Sequence, residues 1–144
     1  MIIQVLGAFI AVFGFSTVME VPKKLLIHTS LIGAVGWFVY LFVCEEGSST
    51  VVASFCSALV ISLLSHIGAR ALKAPVTVFL IGGILPLVPG AGMYRTAYSL
   101  IMETPRQVYK NLQETLMIAG SIAVAIFIMD SVFRLINARH AHRH

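Results

Sequence analysis

The sequence predicts an all-α integral membrane protein: a bundle of about five transmembrane helices, one of them interrupted at a Pro/Gly break. Three observations carry that expectation. Apolar residues make up 58% of the chain and charged residues only 11%, whereas a soluble domain is near a quarter charged. Several apolar runs exceed the roughly 18 residues that mark a spanning helix. One such run, Val76 to Ile101, has 26 residues and one charge, Arg95, yet holds Pro86, Pro89, Gly90 and Gly92 at its centre. Proline removes a backbone donor and crowds the turn before it. Glycine lets other groups approach the backbone closely. A helix interrupted at membrane depth is tolerated only where it is buried in protein or lines a wet cavity.

The elements follow in order. Residues 2–19 form the first apolar run. No Lys or Arg precedes it, and Thr17-Val18-Met19 is a poor cleavage site, so it reads as a span rather than a signal peptide. Glu20-Val21-Pro22-Lys23-Lys24 ends it; Pro22 suits a turn or the first turn of the next helix. Boundary pairing with the two lysines is the simpler role for Glu20. The second span is 25–43. Gly33, Ala34 and Gly36 make a patch for close helix packing, and Trp37 and Tyr40 sit near its far end as interfacial aromatics do. Glu45-Glu46-Gly47-Ser48-Ser49 is a short acidic turn.

The third span, 50–69, has ordered polarity. Ser54, Ala58, Ser62, His66 and Arg70 recur every four residues, with Ser57 and Ser65 beside them. That spacing puts a small, hydroxyl-rich stripe on one helix face. It reads either as a packing seam, which small residues favour in lipid, or as one wall of a polar path. The fourth span is the broken one, 76–102. Its first half, Val76 to Leu85, reaches about 15 Å at 1.5 Å per residue, too short for a core of about 30 Å. Thr104, Pro105 and Gln107 then form a helix start with a capping-box partner. Residues 105–114 read as a short interfacial amphipathic helix, with Arg106, Lys110 and Glu114 toward water. The last span is 116–136. The whole of 1–144 is thus expected to be a single transmembrane domain, its loops and tail too short for a soluble one.

Charge constrains topology. With five spans and the N-terminus outside, the cytoplasmic side holds Lys23, Lys24, Arg70, Lys73, Arg134, Arg139 and Arg143, and the outside holds Arg95, Arg106 and Lys110. A re-entrant 76–102 would give the same seven-to-three balance, so the positive-inside rule fixes only the first three helices. Five spans are preferred because the two halves of 76–102 together match one membrane thickness. The C-terminus is then cytoplasmic.

Composition also excludes classes. The net charge of +4 is spread singly or in pairs at segment ends, where basic residues orient the chain and meet anionic lipid; nucleic acid is not an expected partner, and the lipid bilayer is. Cys44 and Cys56 flank the acidic turn. A disulfide there is geometrically open, but small cysteines on helix faces are the commoner use. No zinc-ligand spacing occurs. The chain has no His-Glu-x-x-His, no paired intramembrane aspartates and no Gly-x-Ser-x-Gly, so an intramembrane enzyme is not expected. No organic cofactor is expected; an ion or proton gradient would supply energy.

Specific segments resemble a known family. Gly14-Phe15, Val21-Pro22-Lys23-Lys24-Leu25 and Gly33-Ala34-Val35-Gly36-Trp37 look like the first two helices of the small-subunit half of the threonine/serine exporter family. Arg70-Ala71-Leu72-Lys73-Ala74-Pro75 and Pro86-Leu87-Val88-Pro89-Gly90-Ala91-Gly92-Met93-Tyr94-Arg95 resemble its hallmark segment, Pro-x-x-Pro-Gly followed by a tyrosine. The resemblance covers nearly the whole chain. It implies a bacterial inner-membrane exporter of small amino acids, or of a dicarboxylate such as succinate in a related split pair. It also implies a larger partner subunit with its own membrane helices and a cytoplasmic domain. One departure is His66, where many relatives would carry an acidic residue.

The residues themselves allow such chemistry. Amides opening the second half-helix, near Gly92 and Met93, can donate to a carboxylate. Carbonyls freed at Pro86 and Pro89 can accept from an ammonium group. Arg95 can supply a cation or simply snorkel to the interface. Tyr94 and Tyr98, one turn apart, face the cavity or belong to an interfacial belt. Among intramembrane ionisable groups, Asp130 lies four residues before Arg134, which suits a local ion pair. His66 is either a proton relay, since imidazole titrates near neutrality, or a packed, hydrogen-bonded histidine. The expected substrate path is therefore Pro86, Pro89, Gly90, Gly92, Tyr94, Arg95 and Tyr98. The polar stripe or relay is Ser54, Ser62, His66 and Asp130. His140, His142 and His144 read as a solvated basic tail. A non-transporting scaffold for a partner membrane protein is the alternative, and a homo-oligomer is open.

Overall fold

In a computed structural model, which describes residues 1–102 and 104–141, every regular element is helical. The expectations for Glu103 and for the tail histidines fall outside the described side chains. Six α-helices follow one another: α1 Ile2–Val18, α2 Lys23–Glu45, α3 Thr50–Leu72, α4 Val76–Ile84, α5 Gly90–Met102 and α6 Pro105–Ala141. A 3-10 turn, Leu85–Leu87, joins α4 to α5. The helices α2, α3 and α6 are long and apolar enough to cross a membrane. The α4–α5 pair qualifies as one span bent by 51°. At 17 residues, α1 sits at the short end of the roughly 17–25 needed. The molecule is a helical membrane bundle with one broken helix.

Small residues set the packing of α1 to α4. Without a hydrophobic drive between helices in lipid, close backbone approach and dispersion hold a bundle together. Val12 packs against Gly33, Thr29 and Ser16 press on Gly82, and Ile61 packs against both Gly36 and Gly83. Phe79, Ile61 and Val12 are the largest fully buried apolar side chains. The hydroxyls buried here are mostly satisfied within the helix: Thr29, Ser30 and Ser65 each donate to the carbonyl four residues back. Ser57 instead crosses to α2 and donates to the Gly36 carbonyl. Ser57 therefore serves helix packing on the α2 side.

Chain direction settles how the ends are arranged. His66 and Arg70, late in α3, meet Asp130 and Asn137, late in α6. Thr50 and Ser54, early in α3, share a cavity with Thr115 and Ile118. The helices α3 and α6 are thus parallel. Residues 76–102 carry the chain from one end of the bundle to the other before α6 returns along α3.

Several local expectations change. No break separates 105–114 from 116–136: α6 is one helix of 37 residues, about 55 Å long at 1.5 Å per residue. Between Pro105 and Ala141 the only Gly or Pro is Gly120, so nothing there terminates a helix. Its first part overshoots α3 and pairs with α5. The side chain of Gln107 lies toward Asn111, 3.5 Å away, rather than closing a capping box. Glu20 makes no ion pair with Lys23 or Lys24 among the described residues. It leaves α1 in the left-handed region, φ 56°. Cys44 and Cys56 are both free.

Close packing at Gly36 yields a stability prediction. A Cβ there would overlap the side chain of Ile61, which is fully buried. Gly36→Val should lower stability by about 1–3 kcal/mol, the usual range for overpacking. Nothing lies within 4 Å of a Cβ at Gly120, so Gly120→Ala should be neutral or stabilising by up to about 1 kcal/mol. Thermal unfolding in detergent compares the two; equal melting temperatures would contradict this packing.

Candidate functional site

The two prolines build the site. Pro86 and Pro89 cannot donate to the carbonyls four residues back, Gly82 and Leu85. Those carbonyls do not stay free, as the sequence suggested. The Leu85 amide takes Gly82, and the Val88 amide takes Leu85 at 3.2 Å. The chain tightens into a 3-10 turn and leaves in a new direction. The Met93 amide bonds back to the Pro89 carbonyl at 3.0 Å and opens α5.

The bend lays α5 against the start of α6. Gly92 is required at this crossing, because a Cβ would stand 2.5 Å from Thr115 Oγ1. Farther out, Asn111 Nδ2 donates to Ser99 Oγ at 2.7 Å, and Ser99 Oγ donates to the Arg95 carbonyl at 2.7 Å. These bonds fix the register of the α5–α6 hairpin and hold Arg95 at its inner side.

Inside the bend is a cavity of about 280 Å³. One wall is the turn itself, with Pro86, Pro89 and Gly92. Arg95 and Glu114 supply opposite charges from α5 and α6. Thr50, Ser54, Asn111 and Thr115 add hydroxyls and an amide. Trp37 and Tyr40 of α2, stacked with centroids 4.9 Å apart, form an aromatic wall. Neither Arg95 nor Glu114 has an ion-pair partner among the described residues. The first turn of α5, with Ala91 and Gly92, faces the same space, where early amides of a helix lack intrahelical acceptors.

The structure gathers some expected residues and separates others. Ser54, Pro86, Pro89, Gly92 and Arg95 come together around the cavity. Gly90 opens α5 next to it, exposed. Tyr94 and Tyr98 stack on each other, centroids 6.3 Å apart, and neither lines this cavity. Tyr94 is 70% exposed, and Tyr98 lines a second, outer opening shared with Arg95, Lys110 and Glu114. His66 and Asp130 lie at the opposite end of the bundle, 3.9 Å apart. Asp130 does form the expected ion pair with Arg134, at 2.8 Å. Ser62 is fully buried between the two regions along α3.

Glu114, Asn111 and Thr115 were not among the expected site residues. Glu114 is exposed, as the sequence suggests, and it also borders the cavity from a continuous helix. Once α6 runs unbroken and α5 folds onto it, the same face looks into the cavity. The one available signal was the spacing Asn111, Glu114, Thr115, Ile118, which follows one stripe of a helix.

Comparisons with known proteins fit this architecture. A curated threonine/serine exporter from Corynebacterium glutamicum is 28% identical over 106 residues, 74% of this chain and 21% of that protein. An uncharacterized protein of Haemophilus influenzae is 29% identical over 99 residues, 68% of this chain and 33% of that one. The chain thus spans a third or less of the length of these relatives. No solved structure matches it. The profile described as threonine/serine exporter, ThrE, matches residues 4–132, nearly the whole chain, and places it as a member of the threonine/serine exporter family.

Proposed function

We propose that this chain is the smaller membrane subunit of a secondary exporter of small hydrophilic metabolites. It acts with a larger subunit that supplies what the longer relatives carry in one polypeptide. The cavity at the broken helix carries the reading: two opposite charges, unpaired among the described residues, with hydroxyl and amide groups around them. Both charged groups are exposed and reach the cavity from α5 and α6, so a ligand that carries both signs of charge can meet them together.

The charge pair favours a zwitterion over a dicarboxylate. The carboxylate of a serine- or threonine-like amino acid would sit on Arg95 and the first amides of α5. Its ammonium group would sit on Glu114. The side-chain hydroxyl would meet Thr50, Ser54 or Thr115. Succinate would satisfy Arg95 but oppose Glu114.

Orientation follows from the parallel α3 and α6. Lys23, Lys24, Arg70, Lys73, Arg134 and Arg139 then gather at one end of the bundle, which the positive-inside rule assigns to the cytoplasm. The N-terminus is outside and the cavity opens toward the outer face. A reporter fused after His144 should be active only as a cytoplasmic reporter; a periplasmic signal would contradict the five-pass path.

Efflux of labelled L-threonine or L-serine from cells tests the function, with this chain, a candidate large subunit, or both. Export should need both. Arg95→Gln should reduce it by about ten- to a hundredfold, matching the roughly 1.5–3 kcal/mol of a charged hydrogen bond, while Arg95→Lys keeps part. Efflux that persists without this chain, with the partner still in the membrane, overturns the proposal.

Glu114→Gln separates the substrate classes. It should raise the KM for amino acids by a similar factor and lessen the exclusion of succinate. A variant with unchanged amino-acid KM would remove Glu114 from recognition.

A further inference from the structure

A second chamber lies at the far end of α3 and α6, beside the start of α4. It measures about 270 Å³ and is lined by His66, Arg70, Asp130, Phe133, Arg134 and Asn137. It offers cations and a carboxylate, the same set of groups as the chamber of Arg95 and Glu114. The state of those groups differs. Here they are partnered across and along the helices. Arg134 Nε donates to Asp130 Oδ2 at 2.8 Å. Arg70 donates to Asn137 Oδ1 and lies 4.8 Å from the centre of the Phe133 ring. The His66 ring also stacks on Phe133, centroids 4.3 Å apart and planes within 4°. Contributions from α4, Ala74 and Val76, are uncharged.

The two chambers are joined by one helix face. Ser54 lines the first and His66 the second. Ser62 stands between them at four-residue spacing. Its side chain is fully buried and its hydroxyl has no hydrogen-bond partner among the described residues. Ser54, Ser57 and Ser65 all donate to backbone carbonyls. A buried polar group left unsatisfied costs about 1–3 kcal/mol, and native interiors keep few of them. Ser62 is such a group in the seam between two chambers of matching chemistry.

We infer that the α3–α6 seam is the translocation route, with the Arg70–Asp130 chamber as a second station for the same zwitterionic amino acid and Ser62 as the contact between stations. The inference rests on the exporter reading above. The arrangement seen is closed at the Arg70 end, where the groups hold one another, and ready at the Arg95 end, where they do not. At the closed end, the substrate carboxylate takes the place of Asn137 on Arg70, and its ammonium group shares Asp130 with Arg134.

Thiol labelling distinguishes the route from the first cavity. In a chain with Cys44→Ala and Cys56→Ala, Ser54→Cys or Ser62→Cys is introduced, and the chain is co-expressed with the large subunit. Membrane vesicles are treated with a small charged methanethiosulfonate reagent, with and without L-serine. Both positions should label, and L-serine should slow both. Adding Arg70→Gln should speed labelling at Ser62→Cys about tenfold, which corresponds to about 1.4 kcal/mol of the closed arrangement. Ser62→Ala, which keeps the small volume, should raise the KM for efflux while membrane levels stay constant.

Labelling and protection at Ser54→Cys without labelling at Ser62→Cys overturns the seam route and leaves the exporter reading intact. An unchanged efflux KM in Ser62→Ala also overturns it. Loss of L-serine protection at both positions overturns both readings.

Discussion

Two missing amides govern this structure. Because Pro86 and Pro89 cannot donate, the helix begun at Val76 cannot continue in line. Its stranded carbonyls are recovered three residues on instead of four, at Leu85 and Val88. That substitution tightens the backbone and turns it by 51°. Everything at the upper end depends on the turn. It sends α5 onto α6, requires glycine at the crossing, and leaves a space that charged side chains from both helices enter. At the turn the Gly82, Leu85, Val88 and Pro89 carbonyls all accept from backbone amides, as a membrane interior demands. The site is made by redirecting a helix, with little of its hydrogen bonding lost.

The lower part of the bundle obeys a different economy of contacts. There α1 to α4 pack through glycine, alanine and serine, and most buried hydroxyls are absorbed by their own helix. Such packing is dense and rigid. Toward α6 the same helix α3 shows another character. A buried histidine and the arginine at its end meet the last helix. One serine-rich helix thus has a packing side and a polar side.

Much of the architecture was legible in the sequence. Hydropathy alone marks the long helices, because a residue facing lipid must be apolar wherever it lies. The break was legible because Pro and Gly have local, context-free effects on the backbone. The Asp130–Arg134 pair followed from helical spacing. Glu114 was not legible, since its surroundings are set by how α5 returns on α6, a tertiary fact. The continuity of α6 was missed for a related reason. Arg106, Lys110 and Glu114 are exposed, as on a surface helix, and that exposure does not tell a separate helix from the first part of a longer one. Tyr94 and Tyr98 were separated from the cavity by rotation about α5, which a one-turn spacing does not fix.

The unbroken α6 has a mechanical consequence. It borders one chamber near Thr115 and the other near Phe133, and between them Ile122 and Ala125 are buried in the bundle. A stiff rod held at its middle acts as a see-saw. Any tilt that draws its outer half toward α3 lifts its inner half away. A chain with a hinge at residue 115 would let the two ends move independently. A single continuous helix ties them, so that the closing of one end and the opening of the other become one motion.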